Sequence, residues 1–398
     1  MPGTRIPQSS TSGKQTSNKI VLVLFLVTII AVLVAVAHAQ TYRVLHSFGY
    51  GYDGQAPLAG VIMDASGNLW GTTEYGGIYG AGTIFMLAPD GTIKSYSFTR
   101  APDGANPQAG LLLYHGALYG IAEYGGAYYQ GTIFKLDQHN HFTVLYSFTG
   151  KEDGVEPSAL VLDPTGNLYG TCVGGGANGL GTVFKLDTNS SFTVLYSFAG
   201  GTDGSAPNSI LLDAVGNLYG TTGIGGDVGG CRNQGCGTVF RLDPAGHKTT
   251  VYRFGGDSDG AYPNGMVKVA HALWGTTHSS VPGYGTVFEL TPKQGLTTLY
   301  NFSDPAEGEN PYTQLFAGNQ SLYGTTDNGG DSDACNGYGC GVVFQLNANG
   351  MKTLHAFNGS DGKWPLAPVF VDAAGNIYGT TSAGGDYDEG VVYKIIPQ

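Results

Sequence analysis

Two neighbouring glycine-rich segments carry tyrosines beside glutamates, and one tryptophan lies in a loop of a different kind nearer the C-terminus, at the start of the last repeat. The residues of this set are Glu74, Tyr75, Tyr79, Glu123, Tyr124, Tyr128, Tyr129 and Trp364. Aromatic rings offer apolar faces to the C–H groups of sugars, and carboxylates accept hydrogen bonds from sugar hydroxyl groups. We therefore predict a ligand-binding site at these residues. The alternative is ordinary packing of tyrosine over loops.

A second set of candidate residues consists of acids near the C-terminal end of the chain. They are Asp327, Asp331, Asp333, Asp386 and Asp388. Calcium takes six to eight oxygen ligands, so such a cluster predicts a possible calcium site. A solvated acidic rim is the alternative, because the DSDACNG segment does not follow the EF-hand register.

One stretch imitates a nucleotide-binding loop. In GNLYGTCVGGGANGLGTVFKLD, from Gly166 to Asp187, three glycines fall at G-x-G-x-x-G spacing. A dinucleotide loop needs a following helix, whose N-terminus holds the pyrophosphate. The strand-like GTVFKLD follows instead, so we expect no nucleotide cofactor. The sequence also lacks a G-x-S-x-G elbow, an H-E-x-x-H pair and a P-loop, and we assign no catalytic residue.

Four of the five cysteines form two pairs with identical spacing. Cys231 and Cys236, like Cys335 and Cys340, are separated by four residues and precede the same strand-like motif. We predict two local disulfides, as expected of an oxidising compartment, with zinc as the weaker alternative. Cys172 replaces a threonine of the other copies, which indicates a small buried residue.

These residues lie within an internal repeat whose period is 48 to 56 residues, and three motifs each occur seven times. LYGT starts at Leu69, Leu118, Leu168, Leu218, Leu273, Leu322 and Ile377. GTVF starts at Gly82, Gly131, Gly181, Gly237, Gly285, Gly341 and Gly390. VLYSF ends at Phe48, Phe98, Phe148, Phe198, Phe254, Phe302 and Phe357.

Each repeat reads as four short strands, because apolar runs with strand periodicity alternate with turn residues. Four-stranded units at this period are typical of a β-propeller, so we predict an all-β fold with seven blades over residues 40–398. The repeats begin with a fourth-strand motif at Tyr42 and end with a third-strand motif at Ile395. We therefore expect the N-terminal strand to complete the last blade and close the ring. Blades that run from VLYSF to GTVF are the alternative.

An acid followed by glycine and then proline recurs in the loop that enters each blade. The acids are Asp53, Asp103, Asp153, Asp203, Asp259, Glu307 and Asp361. An acidic ring could bind a cation or sugar hydroxyls. We favour a structural role, because a turn aspartate accepts backbone N–H groups while glycine supplies positive φ.

The N-terminal 39 residues are typical of a secretory signal peptide, with an uncleaved anchor as the alternative. Arg5, Lys14 and Lys19 precede an apolar run, and an A-x-A site follows it at Ala37 to Ala39. Without this segment, which contains three of 18 basic and none of 30 acidic side chains, the net charge is −15. That charge disfavours nucleic acid or anionic lipid as a partner. We expect no membrane contact beyond this segment.

The repeat resembles the GloVer (Gloeo_Verruco) tandem repeat of exported bacterial proteins, through its DG and Pro, GNLYGTT, GG and GTVFKL elements. The resemblance spans residue 42 onward. It implies an exported, often surface-attached protein and no established activity. Family members end in sorting anchors, whereas this sequence ends in IIPQ. We therefore expect secretion, or retention by the N-terminal segment, with a periplasmic location also open.

Three functions remain open at this point. The leading hypothesis is an extracellular binding or adhesion scaffold for a glycan or a protein. The second is a polysaccharide-acting lyase or hydrolase that uses loop Asp, Glu and Tyr side chains. The third is a purely structural surface protein.

Overall fold

The protein is a ring of seven antiparallel β-sheets, as the repeat predicts. A computed structural model describes residues 40–227, 229, 231–330 and 333–397. The predicted signal peptide lies outside these residues and stays a prediction. Six sheets hold four strands, and blade 6 has a fifth because its first strand is split. The described residues contain no α-helix, only four short 3-10 segments.

The strands are numbered in chain order, starting with β1 (Thr41–Ser47). Blades 1 to 3 contain β2 (Ile62–Met63), β3 (Leu69–Thr73), β4 (Thr83–Leu87), β5 (Ile93–Ser97), β6 (Leu112–Tyr114), β7 (Ala117–Ala122), β8 (Thr132–Leu136), β9 (Phe142–Ser147), β10 (Val155–Leu162), β11 (Leu168–Gly174), β12 (Thr182–Leu186) and β13 (Phe192–Ser197). Blades 4 and 5 contain β14 (Ser205–Leu212), β15 (Leu218–Ile224), β16 (Thr238–Leu242), β17 (Lys248–Arg253), β18 (Ala261–Val269), β19 (Ala272–Ser279), β20 (Thr286–Thr291) and β21 (Gly295–Asn301). Blades 6 and 7 contain β22 (Glu309–Pro311), β23 (Phe316–Gly318), β24 (Ser321–Asn328), β25 (Val342–Asn347), β26 (Gly350–Ala356), β27 (Phe370–Val371), β28 (Ile377–Thr381) and β29 (Val391–Ile396).

The N-terminal strand closes the ring. Blade 7 has the order β1-β29-β28-β27, and β1 runs antiparallel to β29 with Thr41 opposite Ile396. The closure prediction is therefore confirmed, and the alternative grouping of strands is wrong. Closure gives β29 a partner on its outer side and removes an edge that would invite aggregation.

Aromatic rings hold neighbouring blades together. The fourth-strand Phe of each blade meets the third-strand aromatic of the next edge to face, with ring centroids 5.1 to 5.4 Å apart. The pairs are Phe48–Phe85, Phe98–Phe134, Phe148–Phe184, Phe198–Phe240, Phe254–Phe288, Phe302–Phe344 and Phe357–Tyr393. All these rings are fully buried. Each pair contributes about 0.5–1.5 kcal/mol beyond the burial of its area.

The glycine of GTVF lies where two blades touch. At Gly181, φ is 103° and a Cβ would lie 2.4 Å from Pro207 Cδ of the next blade and 2.7 Å from the Cys172 carbonyl oxygen. The next blade is also held by a hydrogen bond from the Ala206 N–H to the Leu180 carbonyl oxygen, 3.0 Å long. Glycine is needed here because the proline ring of the next blade and the carbonyl groups of the same blade leave no room for a side chain.

The residue before each inter-blade proline has an unusual backbone conformation. Its φ lies between 52° and 58° in all seven blades, at Ala56, Asn106, Glu156, Ala206, Tyr262, Asn310 and Trp364. Non-glycine residues seldom adopt positive φ, and a following proline favours extended backbone. Backbone hydrogen bonds on both sides hold this conformation. In blade 1 the Ala56 N–H donates to Glu389, and the Ala56 carbonyl accepts from Glu74.

On the opposite side of the ring, aspartates organise the turns between first and second strands. Asp163 Oδ1 accepts backbone N–H groups of Thr165 and Asn167 at 2.8 and 3.0 Å, and its Oδ2 accepts from Asn167 Nδ2. Burial alone would raise the pKa of Asp163, but the hydrogen bonds from Asn167 and Thr165 outweigh it and lower the pKa to about 2.

Both predicted disulfides are present. Cys231–Cys236 and Cys335–Cys340 have Cα–Cα distances of 5.2 and 5.3 Å. Each closes a loop between the second and third strands. A side chain at Gly256, in the loop entering blade 5, would meet both sulfurs of the first disulfide. Cys172 is a free, buried thiol, as predicted.

The close approach at Gly181 predicts a large effect of adding one methyl group. Gly181→Ala should lower the free energy of unfolding by about 3 kcal/mol, because the new Cβ must displace Pro207 or the backbone. Gly179→Ala is the matched control. It has a similar positive φ of 73° but no atom within 4 Å of its Cβ position, so about 1 kcal/mol is expected. Urea unfolding measures both values, and equal losses would contradict the interface role.

The turn at Asp163 predicts a pH-dependent contribution to stability. The folded-state pKa of about 2 lies below the ordinary value of 3.8, so the contribution is present above 3.8 and is lost as the pH falls towards 2. Asp163→Asn should cost about 1 kcal/mol at pH 6, because solvent partly screens this half-buried carboxylate. Urea unfolding at pH 6, 4 and 2.5 should show the gap to wild type narrowing. Glu152→Gln, an exposed acid, is the control, and a constant gap would contradict the prediction.

Candidate functional site

The repeated acids of the inter-blade loops are structural, as predicted. Each accepts a hydrogen bond from the fourth-strand Tyr or His of the preceding blade. The pairs are His46–Asp53, Tyr96–Asp103, Tyr146–Asp153, Tyr196–Asp203, Tyr252–Asp259, Tyr300–Glu307 and His355–Asp361. Asp153, for example, also accepts the backbone N–H groups of Thr149 and Lys151. The repeated acids therefore stabilise the loops that enter the blades.

The non-repeated residues concentrate on one face. We call this the loop face, because it carries the loops between second and third strands and those that enter each blade. All twelve described Tyr and Trp side chains with an exposure of 38 % or more lie on it. They are Tyr50, Tyr52, Tyr75, Tyr79, Tyr124, Tyr128, Tyr129, Tyr284, Tyr312, Tyr338, Trp364 and Tyr387. The exposed apolar side chains of the opposite turns are aliphatic, such as Val215.

Nine of the twelve belong to three consecutive blades, 7, 1 and 2. We call this set the aromatic arc: Tyr50, Tyr52, Tyr75, Tyr79, Tyr124, Tyr128, Tyr129, Trp364 and Tyr387. Six of the nine are site residues that the sequence predicts. Closure of the ring by β1 places these six residues on adjacent blades. Tyr50, Tyr52 and Tyr387 were missed. They fill the loops between Trp364 and Tyr75, a relation that becomes visible only when the ring is closed.

A carboxylate network lies beneath the tyrosines of blades 1 and 2. Glu74 accepts a hydrogen bond from the Tyr75 hydroxyl, which raises the Tyr75 pKa, and another from Gln108 Nε2 at 3.0 Å. Burial, with hydrogen bonds to Glu123 and Glu156, raises the pKa of Tyr124 to about 12. The Tyr124 hydroxyl therefore stays protonated at neutral pH.

Glu123 is the carboxylate of this network whose pKa is raised. Burial raises its pKa, a hydrogen bond from Tyr124 opposes this, and the charges of Glu156 and Glu74 raise it further. Its Oε2 atom is buried and has no hydrogen-bond partner among the described residues. Buried polar atoms are normally paired, so this oxygen is an exception within the described residues.

Sequence reasoning also missed Glu156. It occupies the same position before proline as Trp364, with a φ of 55° against 56°. Comparing that one position across the seven repeats would have shown it, because alanine and asparagine fill four of the others. The conformation is imposed by the fold, while the side chain is free to vary.

Trp364 lies beside a cation and an acid. Lys363 Nζ is 4.8 Å from the centre of the Trp364 ring and forms an ion pair with Asp388 at 2.7 Å. A cation over an indole face adds about 0.5–1 kcal/mol at an exposed site. The pair fixes the tryptophan at the blade 7 end of the aromatic arc.

The predicted calcium ligands are divided among different surroundings. Asp327 lines the central channel, Asp388 is paired with Lys363, and the Asp386 backbone N–H faces Ser47 Oγ. Asp333 precedes a disulfide loop, and Asp331 lies outside the described residues. Within the described ranges, no three His, Cys, Asp or Glu side chains are grouped to hold a metal ion. Calcium binding stays a prediction.

The fold and its loop face define the class: this is a closed, seven-bladed β-propeller with an aromatic and acidic sector on one face. The chain belongs to the Gloeobacter/Verrucomicrobia repeat family, whose model matches residues 31–232 and 227–398. The family resemblance drawn from the repeat motifs is confirmed. No curated protein matches the chain.

Solved structures share the fold at low identity. A streptogramin B lyase is 16 % identical, with a TM-score of 0.61 over 90 % of this chain and 98 % of its own. Virginiamycin B lyase from Staphylococcus aureus is 15 % identical, with a TM-score of 0.60 over 90 % and 99 %. An extracellular domain of a one-component system from B. thetaiotaomicron is 12 % identical, with a TM-score of 0.56 over 89 % and 40 %. These likenesses establish the propeller fold and nothing about activity.

Two features bear on location. The paired disulfides indicate an oxidising, exported environment. None of the helices in the described part of the chain has the length and apolarity to span a membrane.

The division between structural and site tyrosines predicts different responses to loss of a hydroxyl. Tyr146→Phe should cost about 1 kcal/mol of stability, because it removes the 3.0 Å hydrogen bond to Asp153. Tyr128→Phe should change stability by less than about 0.5 kcal/mol, because Tyr128 is 57 % exposed. Thermal and urea unfolding compare the two. A larger loss of stability for Tyr128→Phe than for Tyr146→Phe would show that Tyr128 stabilises the fold and would contradict its assignment to the site.

Proposed function

We propose that this protein is an exported binding protein whose aromatic arc holds a glycan chain. The observation that carries the proposal is the concentration of exposed aromatic side chains on blades 7, 1 and 2, beside Glu74, Glu123 and Glu156. An arc across three blades suits an extended ligand, since a compact one would engage a single loop.

The chemistry of the arc favours a neutral or cationic glycan. Exposed rings such as Tyr79 and Tyr128 can stack on sugar C–H faces. The half-buried carboxylates of Glu74 and Glu156 can accept hydroxyl or amino hydrogens from a sugar. Three neighbouring carboxylates would repel uronic acids and sulfated sugars.

An enzyme acting on polysaccharide is the second candidate, favoured by the same network. The raised pKa of Glu123 suits a general acid, and perturbed carboxyl groups occur often at catalytic sites. The lyases among the structural neighbours share the propeller fold, but their sequence identity is too low to support a lyase activity for this protein. A purely structural protein is the third reading, for which variants of the arc would change no binding.

The proposal predicts binding that depends on the arc. The chain from Gln40 onward should bind neutral or amino-sugar oligosaccharides on a glycan array, tested with and without calcium. In calorimetry, the double variant Tyr79→Ala/Tyr128→Ala should weaken binding at least tenfold, because two stacking surfaces are lost. Tyr338→Ala, 71 % exposed on blade 6, is the matched control and should bind as wild type.

Several outcomes separate the candidates. Equal binding by the double variant and wild type would contradict a role of the aromatic arc in binding. Absence of binding to every glycan on the array would overturn the glycan proposal. Release of new reducing ends or unsaturated sugars, abolished by Glu123→Gln while binding persists, would establish the enzyme. Binding that requires added calcium would support the predicted calcium site.

A further inference from the structure

The central channel of the ring has the composition of a small-molecule site. Its volume is about 1190 Å³, and the first strands of all seven blades line it. Towards the turns the lining is apolar and half-buried, with Ile62, Leu112, Leu162, Leu212, Val267 and Phe370. Ligand sites are typically concave and mostly apolar, with a few polar groups that orient the ligand.

At the loop-face end, the lining becomes polar. Most of these polar side chains are already used by the fold. Ser158 Oγ donates to the Pro207 carbonyl oxygen, Asn208 Nδ2 to that of Pro263, and Gln314 Nε2 to that of Met266. Gln108 Nε2 is bonded to Glu74. These hydrogen bonds therefore fix the shape of the opening.

Asp327 differs from all of them. It is the one charged side chain among the described residues that line the channel. It accepts a 3.2 Å hydrogen bond from Asn328, and no described Lys, Arg or His forms an ion pair with it. Burial raises its pKa, as expected of a carboxylate that lacks a counter-ion.

We propose that the channel binds a small molecule with an apolar body and one basic nitrogen, whose ammonium group pairs with Asp327. The apolar walls would cover the body, and the ammonium would supply the counter-ion that the protein does not. A calcium ion fits Asp327 less well, because the described residues provide no group of three metal-binding side chains. This site goes beyond the proposed glycan site, because Asp327 lies on blade 6, outside the aromatic arc.

Gly110 provides a way to narrow the channel without disturbing the fold. It lines the channel, and no atom lies within 4 Å of the position that its Cβ would take. Gly110→Leu therefore adds an isobutyl group to open space in the channel. Asp327→Asn removes the charge at nearly constant volume. Glu152→Gln removes an exposed acid outside the channel and controls for general attraction of cations to an acidic protein.

The experiment is calorimetric titration at pH 7 and 0.15 M salt with three probes of equal chain length: n-decylammonium, n-decanol and n-decanoate. Wild type should bind decylammonium at least tenfold more tightly than decanol and show no binding of decanoate. In Asp327→Asn, decylammonium and decanol should bind within twofold of each other. Gly110→Leu should bind both probes at least threefold more weakly, because the added side chain takes up part of the channel, and Glu152→Gln should match wild type.

Each contrary result is decisive. Equal affinity of wild type for the amine and the alcohol would overturn the role of Asp327, and unchanged binding by Gly110→Leu would overturn the channel location. Failure of wild type to bind any probe would overturn the site itself. Melting temperatures and retained decanol binding verify that Asp327→Asn is folded. The arc variant Tyr79→Ala/Tyr128→Ala should bind decylammonium normally, so the glycan and channel proposals fail independently.

Discussion

Every blade of this ring depends on its neighbours to cover its faces. A four-stranded sheet with apolar side chains on both sides is not stable alone, so each repeat can fold only when flanked. Here the cover is supplied by the edge-to-face aromatic pairs and by glycines such as Gly181, which allow the next blade's proline to approach. The conformation of the residue before proline, the hydrogen bond to the repeated acid and the closure by β1 all follow from that contact.

The fold could be predicted almost completely from the sequence because the contact repeats. Seven copies of three motifs indicate the blade count, and the position of the first and last motifs indicates closure. The acid–glycine turns were assignable because glycine and aspartate have specific turn roles. The positive φ before proline was not predictable, since local preferences oppose it and only the packed interface imposes it.

The site was predictable only in part, for a geometric reason. Tyrosines next to glutamates, such as Tyr124 and Glu123, are visible as neighbours in sequence. Tyr387 and Tyr50 belong to the two ends of the chain, and they share a sector only because the ring closes. The channel is a stronger example. Asp327 is one acid among several in the sequence, and its place as the one charged side chain among the described lining residues follows only from the arrangement of all seven blades.

The pairing of Thr41 with Ile396 also sets an order of events during biosynthesis. Strand β1 is synthesised before the other strands of the ring and has no partner until β29 follows it. The ring cannot close on a nascent chain, and a chain cut short would leave both β1 and blade 7 with open edges that invite association or proteolysis. The ring can therefore close only after the whole repeat region, through β29, has been synthesised.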